Sequence, residues 1–359
     1  MNKKINIMFS IIVLSVLIAV GIITFKFLDA NDAKTQGEIL NRVTNIDIVP
    51  TTDDIISDNS AWCPTFQLIW NDLKNEVVKQ DIVFENQIPM VDNLNKESFT
   101  ADMLSEEYYY KTYGLKTIEL KTEIEKGIKE KFNQESDILN DFDWSEKALT
   151  DSYFFYSMLY KEFEFEYALD KFPNGDFADY TDVEYMGIAG ERGKKRDKQA
   201  KQFYVLYHNN NDDFAIKLFT KSNDEVIFIK NPKGETFREI YDNMKKEESE
   251  YEYGRSLGAN DFFQAPLVKI NAKKGYEELR NETFETKDGE IFWIEQAIQS
   301  IQFSLDEKGG KVKSEAALEQ AASVPRIFII NNTFALILKE SDKDMPYFMS
   351  KITNIKDYQ

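Results

Sequence analysis

Apolar residues recur at helical spacing early in this chain and in short strand-like runs later. Phe66, Ile69, Trp70, Leu73 and Val77 fall three and four residues apart, so the pattern predicts an amphipathic helix over 65–78. Residues 99–113 and 121–133 also read as helices, the second with Glu123, Lys126, Glu130 and Lys131 on its polar face. Residues 153–160 are apolar or aromatic apart from Ser157, the composition of a strand buried on both faces at the centre of a sheet. Residues 162–167 then alternate Glu with Phe or Tyr, which leaves one face wet. Three short strands are predicted over 202–208, 214–220 and 225–229, separated by polar turns at 209–213 and 221–224. A charged helix over 234–248 and extended runs over 262–270 and 291–305 follow. Helices first and strands later give an α+β layout within one domain.

The N-terminus changes the compartment. Residues 1–4 are basic, and residues 5–25 carry no charge, enough apolar chain to cross a bilayer as one helix. The stretch is long for a cleavable signal, and Leu28-Asp29-Ala30 matches a cleavage site poorly. An uncleaved anchor is therefore expected, with a cleaved, secreted form as the alternative. The lysines place residues 1–4 in the cytoplasm as a tail, so the C-terminal domain is extracytoplasmic. Residues 26–60 are polar and read as a stalk, ahead of a domain over 61–359.

Composition mostly excludes. A net charge of −19 disfavours a nucleic-acid partner, because nothing offsets phosphate repulsion. One cysteine, Cys63, permits no internal disulfide, and with a single histidine, His208, the usual zinc ligand set cannot form. No nucleophile motif surrounds any serine, and no phosphate-binding Gly-Lys-Ser/Thr occurs, so neither an enzyme nor a cofactor is expected. His208 reads as a solvated histidine at a strand end and Cys63 as a small buried hydrophobe. Asn174, Gly175, Asp176, Asp179 and Asp182 have the wrong spacing for a calcium loop. The basic run over 192–201 suits a polyanion, or simply a solvated helix end.

The C-terminus carries the most specific pattern. Ser304-Leu305-Asp306-Glu307-Lys308-Gly309 precedes a loop of about twenty residues, and the chain closes on two strand-like runs over 331–338 and 346–354. This resembles the end of a serpin: a hinge, an exposed reactive-centre loop and two buried closing strands. The preceding series is similar in order. Residues 107–114 followed by 124–132 resemble the family's helix, strand and helix ahead of the central sheet. Residues 154–165 resemble its central strand, 203–229 its three-stranded meander, and 261–270 with 291–305 the strands leading to the hinge. The resemblance implies helices packed on large, mostly antiparallel sheets. It covers roughly residues 100–359, with 65–78 matching a first helix. The chain departs from the family where Tyr156 or a neighbour replaces the central-strand asparagine, and where Glu162-Phe163-Glu164-Phe165 replaces a Gly-x-Trp. Gly310-Lys311-Val312-Lys313 also replaces an alanine-rich hinge, and the helical layer before Glu107 is short.

The resemblance implies a suicide-type inhibitor of a serine or cysteine protease, with Ala322, Ser323 and Val324 around the scissile bond and a target that cleaves after small residues. Glu307, Gly309, Gly310, Val312 and Ser314 would form the hinge. From Gly310 the even positions carry no charge, while Lys311, Lys313, Glu315 and Glu319 are odd, so the run can enter a sheet. Residues 314–322 are equally rich in helix formers, which leaves a fixed helix open. The second function class is a non-inhibitory binding or scaffold module at the cell surface.

Overall fold

The computed structural model describes residues 45–145, 152–188, 193–308 and 325–359. Residues 1–44, with the expected tail and membrane segment, lie outside these, as do Gly309, Gly310, Val312, Ser314, Ala322, Ser323 and Val324. Among the described residues no helix is long and apolar enough to cross a membrane.

The centre is a seven-stranded sheet. It contains β1 (Asp47–Ile48), β2 (Ser60–Trp62), β7 (Phe203–Asn210), β8 (Asp213–Phe219), β9 (Asp224–Lys230), β16 (Phe334–Glu340) and β17 (Pro346–Ile352), ordered β1-β2-β17-β16-β9-β8-β7. All its pairings are antiparallel except β1 with β2. The predicted meander over 202–229 is thus β7–β9, and the closing strands pair as β16–β17 and join it through β9. Strands β9 and β16 are almost wholly buried, as continuous apolar runs require. A second sheet is ordered β15-β10-β6-β5, from β5 (Asp170–Phe177), β6 (Tyr180–Ile188), β10 (Phe262–Pro266) and β15 (Ile327–Ile329). Three two-stranded ribbons complete the strands: β3 (Tyr109–Leu115) with β4 (Tyr153–Leu159), β11 (Val268–Gly275) with β14 (Ile298–Leu305), and β12 (Thr283–Glu285) with β13 (Ile291–Trp293).

Five α-helices cover these layers among the described residues: α1 (Thr65–Asp72), α2 (Pro89–Asn95), α3 (Ile118–Phe132), α4 (Lys194–Ala200) and α5 (Phe237–Glu250). Helix α1 continues as a π-helix over Leu73–Val78 and stops at Lys79 in the left-handed region (φ 60°). The Thr117 and Thr236 hydroxyls accept from Leu120 N and Glu239 N and start α3 and α5.

Several expectations change. Residues 99–113 are not a helix: two 3₁₀ turns (Ala101–Met103, Glu106–Tyr108) lead into β3. The Tyr108-Tyr109-Tyr110 run suits a half-buried strand, and every residue of β3 finds a cross-strand partner in β4. Strand β4 is in turn not buried on both faces. Phe154 and Tyr156 pack beneath α3, and the other face is only partly covered. Residues 162–167 form no ladder beyond one bridge, Phe165 to Thr220, although Phe165 does point inward and Glu162 and Glu164 outward. The 262–270 and 291–305 runs each break into two strands in different sheets. Of the stalk expected over 26–60, residues 45–60 are packed on the domain. Ile48, Val49, Thr51 and Thr52 are buried, and Asn59 Oδ1 accepts from Thr353 N and Asn354 N.

Candidate functional site

Strand β14 alternates strictly: Gln299, Ile301, Phe303 and Leu305 face inward, and the pattern continues to Glu307. Phe303 stacks on Phe348 of β17 at 4.6 Å between ring centroids, which seats the β11–β14 ribbon on the large sheet. Gln299 closes a buried network. It accepts from Tyr276 Oη at 2.7 Å and donates to Cys63 O at 3.0 Å and Thr65 Oγ1 at 3.1 Å. Among the described residues β14 pairs with β11 alone, and its other edge has no ladder partner there.

At the end of this strand lies Glu307, the one described residue of the expected hinge. Its carbonyl accepts from Leu169 N at 3.0 Å, and its carboxylate pairs with Lys171 of β5 at 3.3 Å. Lys308 N donates to Asp306 Oδ1 at 2.7 Å. The N-terminal root of the 309–324 segment is therefore tied to the edge of the second sheet.

The C-terminal root is tied to the opposite edge of that sheet. Arg326 N donates to Asp261 Oδ1 at 2.8 Å, and Arg326 Nε and Nη2 donate to Asp261 Oδ2 at 3.0 and 2.7 Å. The guanidinium also donates to Gly254 O at 2.7 Å and Ser256 O at 2.6 Å. Asp261 is only 2 % exposed, and Gly258 N supplies a further donor at 2.7 Å. A charge-assisted pair with this many satisfied donors holds a planar fork in one orientation. Beyond it, β15 runs parallel to β10 for three residues, and Phe328 packs edge-on against Phe214.

His208 lies under this root, which corrects the solvated strand-end reading. Its ring packs at 4.9 Å from Phe328, and Nε2 is buried without a hydrogen-bond partner. Desolvation, with Arg326 nearby, holds its pKa below the ordinary imidazole value. Cys63 is buried, and burial pushes its thiol up to about 11, so it is no nucleophile at neutral pH. The basic run is partly structural: Arg196 turns inward and donates to Asp261 O at 2.8 Å. Asn174 donates to Asp182 Oδ1 at 2.9 Å, and among the described residues no group of three or more His, Cys, Asp or Glu is arranged to hold a metal.

Sequence reasoning missed Arg326, Asp261 and Lys171. Arg326 and Asp261 lie 65 positions apart, and neither belongs to a local motif. The only cue is a lone Asp and a lone Arg, each set just before an apolar run.

No protein-family model matches the chain, and no curated protein matches it in sequence. Among solved structures, it is similar to the thermophilic serpin Tengpin in its native state, at 13% identity and a TM-score of 0.47, over 84% of this chain and 90% of that one. It is similar to thyroxine-binding globulin in complex with thyroxine at 13% identity and a TM-score of 0.46, over 83% and 93%. It is also similar to Serpin48 of the insect Tenebrio molitor, at 14% identity and a TM-score of 0.39, over 76% and 72%. The solved structures to which this chain is similar include serpins, the family that its hinge and closing strands resemble.

Proposed function

We propose that this chain is a membrane-anchored, extracytoplasmic, serpin-like protein that acts as a suicide-type inhibitor through residues 309–324. The observation that carries the reading is β14, a strand with no ladder partner along one edge among the described residues, whose inward alternation reaches Glu307 at the root of that segment.

The register follows from chain parity. A straight continuation of β14 would drive Lys311 and Lys313 into the core. A two-residue turn at Gly309-Gly310, a pair suited to positive φ, reverses the chain and pairs Lys308 with Lys311. Glu307 then faces Val312, and Leu305, Phe303, Ile301 and Gln299 face Ser314, Ala316, Leu318 and Gln320. In that register every inward position of the segment itself is uncharged, and Lys311, Lys313, Glu315 and Glu319 would face water.

In the inhibitory reaction the protease's serine or cysteine attacks the carbonyl carbon of a residue among Ala322, Ser323 and Val324. The C–N bond breaks, the leaving amine takes the proton, and an acyl-enzyme remains. Insertion beside β14 then carries the acylated end away before water can attack. The residues of this chain supply a substrate and a receiving edge, with no catalytic group. Anchoring by residues 5–25 and a target that cleaves after small residues belong to the same proposal.

A specific observation favours the second reading, a non-inhibitory surface module. The bond from Leu169 N to Glu307 O and the Lys171 pair hold the root where it must turn. Thermal unfolding of the chain before and after limited proteolysis within 314–326 separates the two. The inhibitory reading expects a rise of about 10 °C or more, since a new ladder and four or five buried side chains are worth several kcal/mol. An unchanged melting temperature leaves the binding or scaffold module.

A further inference from the structure

Lys161 enters the interior from just beyond β4. Tyr160 N, one residue earlier, donates to Tyr108 O at 2.9 Å and fixes the backbone there. Asp224 starts β9, Glu340 ends β16, and the two lie directly opposite each other in the ladder. The Lys161 ammonium stands 2.8 Å from Asp224 Oδ1 and 2.6 Å from Glu340 Oε1, and the three side chains are 2 %, 0 % and 4 % exposed. The Tyr108 ring lies 3.6 Å from Nζ and the Tyr347 ring 5.1 Å. An amine nitrogen and two carboxyl groups thus share a nearly dry, aromatic-walled site. The two carboxyls are held differently. Three donors converge on Glu340: Nζ on Oε1, and Ser105 N and Oγ on Oε2 at 3.0 and 2.9 Å. Asp224 Oδ2 has one, Ser222 Oγ at 2.8 Å, while Oδ1 is buried with no hydrogen-bond partner. The approach of Nζ to Oδ1 therefore lies off the hydrogen-bonding direction. One carbon–oxygen bond further on, Cγ of Asp224 is within about 4 Å of Nζ. Burial favours the neutral acid at Asp224, the form that an amine can attack.

We propose that Lys161 and Asp224 join in an intramolecular amide bond, with Glu340 carrying the proton. One ammonium proton passes to the Asp224 carboxylate, which leaves a free amine and a neutral acid. Nζ then attacks Cγ and the C–N bond forms. Glu340 takes a proton from the nitrogen and gives it to the departing hydroxyl. The C–O bond breaks, the carbonyl re-forms and one water leaves. No oxidant or further reactant is needed, and proximity replaces the concentration that a condensation in water lacks. Until the bond closes, the three groups remain an ion cluster. Among the described residues the β3–β4 ribbon shares no ladder with the large sheet, so the amide would be its covalent tie to β9. With Cys63 the single cysteine, no internal disulfide can serve that purpose. Bond formation is independent of any insertion beside β14.

The test is mass spectrometry of the full chain, purified in mild detergent and incubated folded at neutral pH, before and after tryptic digestion. Most of the wild type should lose the mass of one water, and digestion should release a branched peptide that joins the Lys161 and Asp224 segments. Lys161→Arg and Asp224→Ala should keep their full mass. Asp224→Asn should give the same branched peptide with loss of ammonia in place of water. Glu340→Gln, which keeps both reacting groups, should form the bond at least tenfold more slowly. Thermal melts identify the variants that fold, and the wild-type result needs none of them. A folded wild type that keeps its full mass and yields only linear peptides overturns the bond and leaves an ion cluster. A branch from Lys161 to the Glu340 segment overturns the assignment of the two carboxyls. A Glu340→Gln chain that reacts as fast as wild type overturns Glu340 as the proton carrier.

Discussion

Lys161 shows how much one side chain can hold. Its ammonium is 2 % exposed and lies 2.8 Å from Asp224 Oδ1 and 2.6 Å from Glu340 Oε1, over the Tyr108 ring at 3.6 Å. One cation thus balances two buried carboxylates from the ends of β9 and β16. Burial already holds the Asp224 acid above its ordinary range. Lys161→Met should cost about 3–5 kcal/mol in denaturant unfolding at neutral pH, because it leaves both carboxylates without the cation they share, with only the Ser222 and Ser105 hydrogen bonds remaining. The deficit should shrink at pH 5, where a carboxylate can take up a proton; a pH-independent loss would mean that packing, not charge, is what Lys161 supplies. His208 predicts the opposite slope. Its folded pKa is depressed, so the unfolded chain binds the proton first as pH falls. The histidine's contribution to stability is present above about pH 6.5 and is lost below it. The protonated ring would face Arg326 with Asp261 as its nearest counter-charge, and Lys230 lies over the adjoining Phe214 ring. Replacing His208 by Gln should flatten the stability profile between about pH 7 and 5.

Close approach between strands decides what the second sheet tolerates. Gly187 of β6 lies opposite Gln264 of β10, and a Cβ there would sit 2.0 Å from Phe263 O and 2.9 Å from Phe263 C. These are backbone atoms that cannot move without breaking the ladder. Gly187→Ala should therefore cost about 2 kcal/mol or more by denaturant unfolding, and loosen β10 and the β15 strand paired to it. A neutral effect would mean the two strands separate more easily than their pairing implies. The β3–β4 ribbon makes a related point. Tyr110, Phe154 and Tyr156 face α3, while on the other side Tyr109 and Leu159 reach the main core and Tyr113 and Tyr153 stay exposed, so a strand composed for full burial sits as half of a two-stranded ribbon.

For the molecule as a whole, β14 and the 311–320 run whose alternation would match it are neighbours in sequence, separated by Gly309-Gly310. Local contacts of this kind form quickly when nothing opposes them. The described residues that flank the segment are tied at both ends, Arg326 to Asp261 and Glu307 to Lys171. The rise in melting temperature on cutting belongs to the proposed inhibitory reading alone, and its absence would leave a binding or scaffold module.

Periodicity alone located α1, α3, α5, the β7–β9 meander and the two closing strands, because each buries a face of its own and therefore repeats at its own period. The Asp-Glu-Lys-Gly run and the alternation of charge over 310–320 are also features of order along the chain. Partnership was not. Residues 99–113 read as a helix along the chain, and pairing with β4 overrode that. The half-buried place of β4, the joining of 45–60 to the large sheet and the Arg326–Asp261 clamp are contacts between distant positions. A side chain's partner across 65 residues leaves no period in the sequence, and only the packed fold brings that carboxylate and that guanidinium together.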